Sequence, residues 1–506
     1  MSAKCARLAA LSSLVLCVLI GSSAGARDGH WEPPGITPST ASLGPVLEQF
    51  ATKSGLTNEA YLQRVEQYAL VAGGERVMSE RTVRDSDFKA VTTIDGGAFS
   101  SGRAAGIRWR RTPNGLTRTI SVDVQGDDLD RWPLGNLPFD PRSCTLAGET
   151  QTPRPSWVVE YHPENDVSHW FYIDKASSDL IREVWREGSV VVQLDFDDFR
   201  TVDGIRRAYH WKAGGSGQAA DVTLLSIRAT PVSQSDVARP PSHVTMYDGA
   251  PEGETNLHVT FKWGGSAIVA RGSLEGHPVE YLIDSGTSQV LVDGGLAHSV
   301  GIHTFLGHGI ARELSLGAIH LHDVAIQTTS LLGYGAQAIF GYELFASRVV
   351  HINYLNGEVG VLASVPDAAL VRTFRLNVNC DAGMPIVAAT VDRASGPAFA
   401  LDTGSATVVV LRYLWEHDGA DRTDLPAKSV AFYQIRYLEG PLVVDETQGN
   451  VVLGPVKVKG ETVQIERPNK GDAIEPPLDG ILGVNVLGGF NWWFDCADHT
   501  AWFKPE

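Results

Sequence analysis

Residues 281–292, YLIDSGTSQVLV, place one ionisable residue, Asp284, in a tight turn between two apolar runs. Residues 399–411, FALDTGSATVVVL, repeat this arrangement around Asp402. Aspartate and glycine are common in ordinary turns, so one such stretch alone is a weak signal. The same turn in two similar contexts indicates that the chain contains a duplicated structural unit.

The similarity extends beyond the two turns. In each copy two strand-like runs precede the turn, a third run and a pair of strands follow it, and a hairpin closes the copy. Before that hairpin each copy has two apolar residues and a glycine, which are Ile339-Phe340-Gly341 and Ile481-Leu482-Gly483. The turns are 402 − 284 = 118 residues apart and the glycines 483 − 341 = 142, so the second copy is 142 − 118 = 24 residues longer. We therefore predict two β lobes, over residues 257–365 and 366–506.

Two such lobes can meet across an approximate two-fold axis, with Asp284 facing Asp402. Carboxyl groups about 3 Å apart do not both ionise readily, so the pair shares one proton and titrates as a unit. One carboxylate can then accept a proton from a bound water while the other carboxyl group donates to a substrate carbonyl. The sequence thus predicts a site that activates water.

The neighbours of the two aspartates fit this arrangement. They are Ser285, Gly286 and Thr287 in the first turn and Thr403, Gly404 and Ser405 in the second. The glycines permit close approach of the two backbones, where a side chain would block it. The first hydroxyl of each turn can form hydrogen bonds across the lobe interface, and the second can donate to an outer carboxylate oxygen.

The paired D-[ST]-G-[TS]-[SA] turns, each followed by two apolar residues and a glycine, resemble the pepsin and retropepsin superfamily of aspartic proteases, in which a shared proton between two aspartates is well known. The copies are more similar to two retropepsin-type units fused in tandem than to the longer lobes of pepsin. The resemblance covers residues 257–506. It implies a bilobal, mainly β unit in which Asp284 and Asp402 are the catalytic pair and Ser285 and Thr403 grip between the lobes. The two apolar-apolar-glycine stretches would support the turns from beneath.

For function, the resemblance implies an aspartic endopeptidase, a hydrolase that cleaves peptide bonds with a water held between Asp284 and Asp402. Such an enzyme uses no metal, no cofactor and no covalent intermediate. Its substrate would be an extended peptide or protein segment that lies in the cleft between the lobes and adds to strand edges. Because both aspartates belong to one chain, activity would not require dimerisation.

Residues 45–232 have a different pattern. The spacing of Val46, Phe50 and Val65 predicts helical structure that stops at the double glycine of residues 73–74. Short strand-like runs follow, among them SWVVEYHP and SVVVQLDF. We therefore expect an α+β domain in which a helix packs on a curved antiparallel sheet.

This N-terminal pattern resembles the bacterial lipoprotein carriers of the LolA type, whose concave face holds acyl chains. The resemblance implies an acyl or peptide ligand on the curved sheet. Two alternatives stay open at this point. The domain could serve as a spacer or folding aid for the second half of the chain, or as an inhibitory propeptide that is removed on activation.

Residues 1–26 have the pattern of a signal peptide, because Lys4 and Arg7 precede an apolar stretch over residues 8–20 and a small-residue exit. We expect an exported protein, periplasmic or secreted, without a transmembrane anchor after cleavage. Residues 27–44 and 233–256 are rich in proline and small polar residues, which predicts a flexible lead-in and a linker between domains.

The composition, 43% hydrophobic and 20% charged residues, is that of a soluble globular protein. Cleavage after residue 26 would remove two basic and no acidic residues, so the formal charge would change from −17 to −19. Such a chain repels polyanions, and we expect no nucleic-acid partner. Of the three remaining cysteines, Cys380 and Cys496 either form a disulfide or are buried thiols, and Cys144 is the third.

The main rival to an enzyme is a non-catalytic bilobal envelope protein that binds peptides or lipids, and a structural envelope protein is a weaker third interpretation. Retention of both aspartate turns favours the enzyme, because a binding module has no need of two acids. His320 and His322 share one strand face, and without a third ligand we expect that face to be solvated. The tryptophans near the C-terminus are expected in a buried sheet between the lobes and are Trp492, Trp493 and Trp502.

Overall fold

The structure is a computed structural model. It describes residues 32–55, 63–85, 87–122, 143–161, 168–187, 190–214, 220–242, 255–262, 267–331, 336–346, 348–411, 414, 427–430, 442–466 and 478–505. The predicted signal peptide lies outside these residues, as does half of the predicted linker, residues 243–254. The prediction of a mainly β fold is confirmed.

The N-terminal part of the chain forms one antiparallel sheet of thirteen strands, here called the N-terminal sheet. Helix α1 (Leu43–Ser54) precedes it and helix α2 (Gln234–Val237) follows it. The strands are β1 (Gln63–Ala72), β2 (Glu75–Arg84), β3 (Asp87–Ile94), β4 (Gly97–Ala104), β5 (Ile107–Arg111), β6 (Thr117–Val122), β7 (Cys144–Thr150), β8 (Ser156–Tyr161), β9 (His169–Asp174), β10 (Leu180–Glu187), β11 (Val190–Val202), β12 (Ile205–Gly214) and β13 (Ala220–Ala229). Their order, β6-β5-β4-β3-β2-β1-β13-β12-β11-β10-β9-β8-β7, joins two meanders where β1 pairs with β13.

Helix α1 is shorter than the sequence pattern predicts. It ends at Gly55, which adopts the left-handed conformation with φ 71°. The predicted helical continuation through Val65 is wrong, because residues 63–72 form β1. In that strand Tyr68 and Leu70 are buried on one face, and pairing with both β2 and β13 satisfies the backbone. The double glycine is therefore a hairpin turn and not the end of a helix.

The rest of the chain adds strands β14 to β34, helix α3 (Gly294–Ser299) and helix α4 (Val484–Leu487). The strands are β14 (Thr255–Asn256), β15 (Val259–Lys262), β16 (Ala267–Leu274), β17 (His277–Ile283), β18 (Val290–Asp293), β19 (Thr304–Phe305), β20 (His308–Leu316), β21 (Ile319–Thr329), β22 (Ala338–Phe340), β23 (Val349–Asn353), β24 (Glu358–Leu362), β25 (Phe374–Asn377), β26 (Ile386–Val391), β27 (Ala394–Leu401), β28 (Val408–Leu411), β29 (Ala427–Val430), β30 (Leu442–Leu453), β31 (Val456–Glu466), β32 (Gly480–Leu482), β33 (Phe490–Asp495) and β34 (Thr500–Pro505).

These strands form three sheets. The sheet of the first lobe has the order β15-β16-β17-β22-β18-β21-β20-β19, and that of the second lobe has the order β26-β27-β32-β28-β31-β30-β29. In both lobes the strand before the aspartate turn runs parallel to the strand that carries the two apolar residues. The sheet between the lobes, β14-β24-β23-β33-β34-β25, contains strands from both.

The sheet between the lobes is closely packed. Trp492 is fully buried there and stacks on Phe503 with ring centroids 4.8 Å apart. The Cys380–Cys496 pair forms a disulfide with a Cα–Cα distance of 5.7 Å, whereas Cys144 is buried in the N-terminal sheet, outside this bond. The two lobes are therefore joined by the strand pairing of this sheet, and the disulfide lies within the second lobe.

Two further predictions concern the solvent exposure of two histidines and a membrane-spanning helix. His320 and His322 lie exposed on β21, as the alternation of that strand predicts. Within the described part of the chain, no helix is long and apolar enough to cross a membrane.

Candidate functional site

The first aspartate turn follows β17 and is fixed by hydrogen bonds within its lobe. The backbone N–H of Asp284 donates to the carbonyl of Phe340 at 3.1 Å. The N–H of Gly286 donates to Asp284 Oδ1 at 2.8 Å, and Thr287 Oγ1 donates to Oδ2 at 2.7 Å. Both carboxylate oxygens of Asp284 are thus held in place by residues of the same turn.

The second turn follows β27 and differs in one detail. The N–H groups of Gly404 and Ser405 donate to Asp402 Oδ1 at 2.7 and 3.1 Å. The predicted hydroxyl donor is wrong here, because Ser405 Oγ donates instead to the carbonyl of Thr407 at 3.0 Å. The second oxygen of Asp402 therefore lacks the local hydroxyl contact that Thr287 provides to Asp284.

Ser285 and Thr403 join the two turns. The N–H of each donates to the hydroxyl oxygen of the other, both at 3.0 Å. Each hydroxyl then donates across the interface, from Ser285 to the carbonyl of Leu401 at 2.7 Å and from Thr403 to that of Ile283 at 3.1 Å. Both side chains are fully buried. This closed set of four hydrogen bonds fixes the turns relative to each other.

The glycines let the two carboxyl groups face each other. A Cβ atom added to Gly286 would overlap the carboxyl carbon of Asp402, and one added to Gly404 would overlap that of Asp284. The supporting glycines are equally tight, since a Cβ atom at Gly341 would overlap the carbonyl of Thr287. Beneath the turns lie the apolar pairs of β22 and β32, which are Ile339 with Phe340 and Ile481 with Leu482. Gly483 has the same close contact, with the carbonyl of Thr407. The structure thus brings together all residues that the sequence places in this site.

The electrostatics of the pair are those of two adjacent acids. Burial, the charge of Asp284 and a hydrogen bond to Asp284 raise the pKa of Asp402 well above its usual value. Burial and the charge of Asp402 also raise the pKa of Tyr354. The pair therefore retains a proton at a pH where an exposed aspartate is ionised.

Sequence reasoning missed Arg118, which reaches this site from β6 of the N-terminal sheet. Its Nη1 donates to the carbonyl of Ser288 at 2.5 Å and its Nη2 to Gln289 Oε1 at 3.2 Å. The next residue, Thr119, donates its N–H to the carbonyl of Asp381 in the second half of the chain at 2.6 Å. No sequence motif marks Arg118, because its partners are 170 and 171 residues away.

Glu343 is a second residue that sequence reasoning missed. It is fully buried in the 3₁₀ turn Tyr342–Leu344, and its Oε1 accepts the N–H of Val290 at 3.2 Å. Burial raises the pKa of Glu343 to about 7, against the opposing charge of Arg118. One signal was available in the sequence, since this is a lone acid within the apolar stretch AIFGYELF.

A second candidate site lies on the N-terminal sheet. Buried apolar residues from ten of its strands form one continuous cluster, here called the apolar face. Its members are Tyr68, Leu70, Ala72, Val77, Ile94, Cys144, Val159, Tyr161, Phe171, Ile173, Leu180, Trp185, Val192, Leu194, Phe196, Ile205, Ala208, Tyr209, Trp211, Ala213, Ala220, Val222, Leu224 and Ile227. Helix α1 covers part of this face with Val46 and Phe50 and packs against β7 and β12.

A charged cluster lies on the same sheet beside the apolar residues. Glu66 is fully buried and accepts a hydrogen bond from Arg64 Nε at 2.6 Å, and it also contacts Arg207 and the hydroxyl of Tyr68. Burial alone would raise the pKa of Glu66. The charges of Arg207, Arg64 and Arg81 nevertheless hold this pKa well below its usual range. This network orders the sheet next to the apolar face.

Among the residues that the structure describes, no group of three or more histidine, cysteine, aspartate or glutamate side chains is placed to hold a metal ion.

No protein-family model and no curated protein matches the chain. Among solved structures, the chain is similar to an outer membrane lipoprotein-sorting protein domain from Vibrio parahaemolyticus, with 13% identity over 38% of this chain and 94% of that chain and a TM-score of 0.30. It is also similar to a LolA superfamily protein from Nitrosomonas europaea, with 9% identity over 39% and 98% of the two chains and a TM-score of 0.32. A third similarity is to an aspartic proteinase from Irpex lacteus, with 9% identity over 50% and 97% of the two chains and a TM-score of 0.32.

These comparisons correct the identification made from the sequence. They bring up domains of the lipoprotein-sorting and LolA type, and the similarity to an aspartic proteinase is weak, at 9% identity. The prediction of a pepsin-like or retropepsin-like aspartic protease is therefore not supported and is corrected. The predicted enzyme class, an endopeptidase and hydrolase, is corrected as well. The predicted extended peptide substrate is also not supported. The mainly β structure is confirmed, whereas pepsin-like lobes are not.

Proposed function

We propose that this protein is a non-catalytic binding protein of the cell envelope whose N-terminal sheet binds the acyl part of a lipid or lipoprotein. The observation that carries the proposal is the apolar face, which runs without interruption across ten strands and is covered in part by a single 12-residue helix. Its members are at most 9% exposed, so the face forms an enclosed apolar interior of which α1 closes one part.

An acyl chain suits such a surface because the hydrophobic effect is non-directional and scales with the apolar area removed from water. Each buried methylene group contributes about 0.8 kcal/mol, so a long chain gains affinity without specific hydrogen bonds. The aromatic residues Trp185 and Trp211 give this face broad, flat contact surfaces.

The comparisons agree with this proposal better than with a protease. The lipoprotein-sorting domain and the LolA superfamily protein also favour a ligand that is a lipid or lipoprotein, and a periplasmic location. The signal-peptide pattern of residues 1–26 supports an exported protein, and the formal charge of −17 disfavours nucleic acid as a partner.

For the cleft between the lobes we retain Asp284 and Asp402 as the proposed functional pair, with the residues of the two turns positioning them. In a binding protein, a shared proton lets the pair donate one hydrogen bond and accept another. The pair would then hold a polar group of a ligand and leave its bonds intact.

The proposal is tested by tryptophan fluorescence with stearic acid brominated at carbons 9 and 10, since bromine quenches only nearby indoles. We expect saturable quenching in the full chain, and a smaller quenching amplitude in Trp211→Phe, because Trp211 lies on the apolar face. Leu355→Ser, which removes a side chain that is 74% exposed, should leave the quenching curve unchanged. Absence of saturable quenching would contradict the acyl site.

The non-catalytic part of the proposal has its own test. A peptide mixture incubated with the protein between about pH 3 and 7, where a carboxyl pair changes charge, should remain intact by mass spectrometry. Cleavage by the wild type that disappears in both Asp284→Asn and Asp402→Asn would refute the non-catalytic assignment and leave the acyl site to be judged separately.

A further inference from the structure

The hairpin between β19 and β20 has an unusual tip. Its two-residue loop, Leu306-Gly307, has φ values of 55° and 79°, so both residues are in the left-handed region. That conformation suits a tight hairpin, but asparagine or glycine normally fills the first position, and a leucine there is strained. Hairpin tips are usually polar and exposed, so this tip has an interaction partner elsewhere in the molecule.

The partner is the N-terminal sheet. Phe305 and Leu306 are 1% and 6% exposed, and both belong to the cluster of the apolar face. The residues that flank the hairpin, Ile302 and Ala311, belong to the core of the lobes instead. The hairpin therefore leaves its own lobe and inserts two apolar side chains into another sheet.

The insertion point lies on the half of the apolar face that α1 does not cover. Phe99 of β4 packs beside the cluster and lies over His308 with ring centroids 6.1 Å apart. A Cβ atom added to Gly97 of β4 would overlap Ile310 of β20. Helix α1, by contrast, packs against β12 in the middle of the sheet and β7 at its far edge.

The polar contacts around the insertion point are partly solvated. His303 Nε2 lies 2.8 Å from Glu75 Oε1, and Arg312 Nη2 lies 3.2 Å from Asp95 Oδ2. All four side chains are about half exposed. Such pairs exchange readily with water and hold a hairpin only weakly. Docking therefore depends on the two apolar side chains.

We propose that the region of the apolar face filled by Phe305 and Leu306 is a binding site for an acyl chain, and that the hairpin is a competitor built into the protein. This inference rests on the proposed function and goes further, because it names where the chain enters and what it displaces. One space cannot hold both occupants, so acyl binding and hairpin docking exclude each other.

Competition also couples the acyl site structurally to the cleft between the lobes. The hairpin strand β20 pairs with β21, and β21 pairs with β18, the strand that directly follows the Asp284 turn. Undocking of the hairpin therefore moves one end of the sheet that positions Asp284. A ligand on the N-terminal sheet would thus alter the first lobe.

The test is a titration of the full chain with the fluorescent fatty acid 11-(dansylamino)undecanoic acid. The double variant Phe305→Ser, Leu306→Ser lacks the competitor and should bind the probe about tenfold more tightly, because a larger fraction of the protein is open to ligand. The matched control is Leu355→Ser, Val371→Ser, which removes two apolar side chains that are 74% and 64% exposed. The control should bind like the wild type.

Hydrogen exchange of the wild type gives a second measurement, independent of the variant. The N–H of Thr328 in β21 donates to the carbonyl of Gly307 at 2.7 Å, so its exchange reports on the order of the hairpin tip. Saturating probe should speed exchange at Thr328 and over residues 304–309. Equal probe affinity in all three proteins without faster exchange would overturn the competitor and leave the proposed function standing. No binding by any of them would overturn both.

Discussion

Gly286 stands where the two aspartate turns meet, and the close contact makes it sensitive to one added methyl group. In Gly286→Ala the new Cβ atom would overlap the carboxyl carbon of Asp402. We expect the free energy of unfolding to fall by about 1–3 kcal/mol, as for other overpacked cores, with a lower Tm in calorimetry. Gly294→Ala is the control in the same lobe, because nothing lies within 4 Å of its added Cβ atom. Equal Tm values for the two variants would contradict the close approach.

The raised pKa of Asp402 predicts how stability depends on pH. A carboxyl group whose folded-state pKa is raised holds its proton longer in the native than in the unfolded protein. Above about pH 4 the native state therefore binds more protons, and stability falls as pH rises through the folded pKa, by at most about 1.4 kcal/mol per pH unit. Urea unfolding at several pH values should show a weaker decline in Asp402→Asn. Glu343, whose pKa is also raised, contributes the same pH dependence of stability to the wild type and to Asp402→Asn. Parallel curves would contradict the shared proton.

Local elements were predictable where the chain contacts its own sequence neighbours. The turns around Asp284 and Asp402 and the strands beside them follow from short stretches of sequence, because the apolar runs and turn residues specify them locally. Residues 63–72 could not be assigned in this way. Their strand is stabilised by pairing with β13, whose residues 220–229 are about 150 positions away. The contacts of Arg118 and of the β19–β20 hairpin could not be predicted for the same reason, because their partners are distant in the sequence.

The Cys380–Cys496 disulfide links the segment after β25 to the hairpin of β33 and β34. Because 116 residues separate the two cysteines, the bond restricts the unfolded chain strongly. We expect Cys380→Ser, Cys496→Ser to lose about 2–5 kcal/mol of stability, measured by denaturant unfolding. Dithiothreitol should reproduce that loss in the wild type and in Cys144→Ser, and it should leave the double variant unchanged. An unchanged wild type under full reduction would refute the stabilising role.

The whole molecule is held together by two kinds of contact of different strength. The lobes share the sheet between them, in which β23 of the first lobe pairs with β33 of the second over five residue pairs. The N-terminal sheet meets the lobes through Arg118 and the backbone of Thr119 at one point and through the hairpin at another. We therefore infer that the lobes move as one body and that any large motion occurs at the N-terminal sheet.

That inference leads to a prediction for the shape of the molecule in solution. The ion pairs His303–Glu75 and Arg312–Asp95 are about half exposed, and such pairs contribute about 0.2–1 kcal/mol each. Full burial of an apolar side chain such as Phe305 or Leu306 contributes more, about 1.5–3 kcal/mol. Small-angle X-ray scattering should thus give the same radius of gyration in dilute buffer and in about 1 M salt, where exposed charges are screened. Phe305→Ser, Leu306→Ser should be larger at both salt concentrations, while Leu355→Ser, Val371→Ser should match the wild type. Expansion of the wild type by salt alone would show that charge, and not the buried hairpin tip, holds the N-terminal sheet on the lobes.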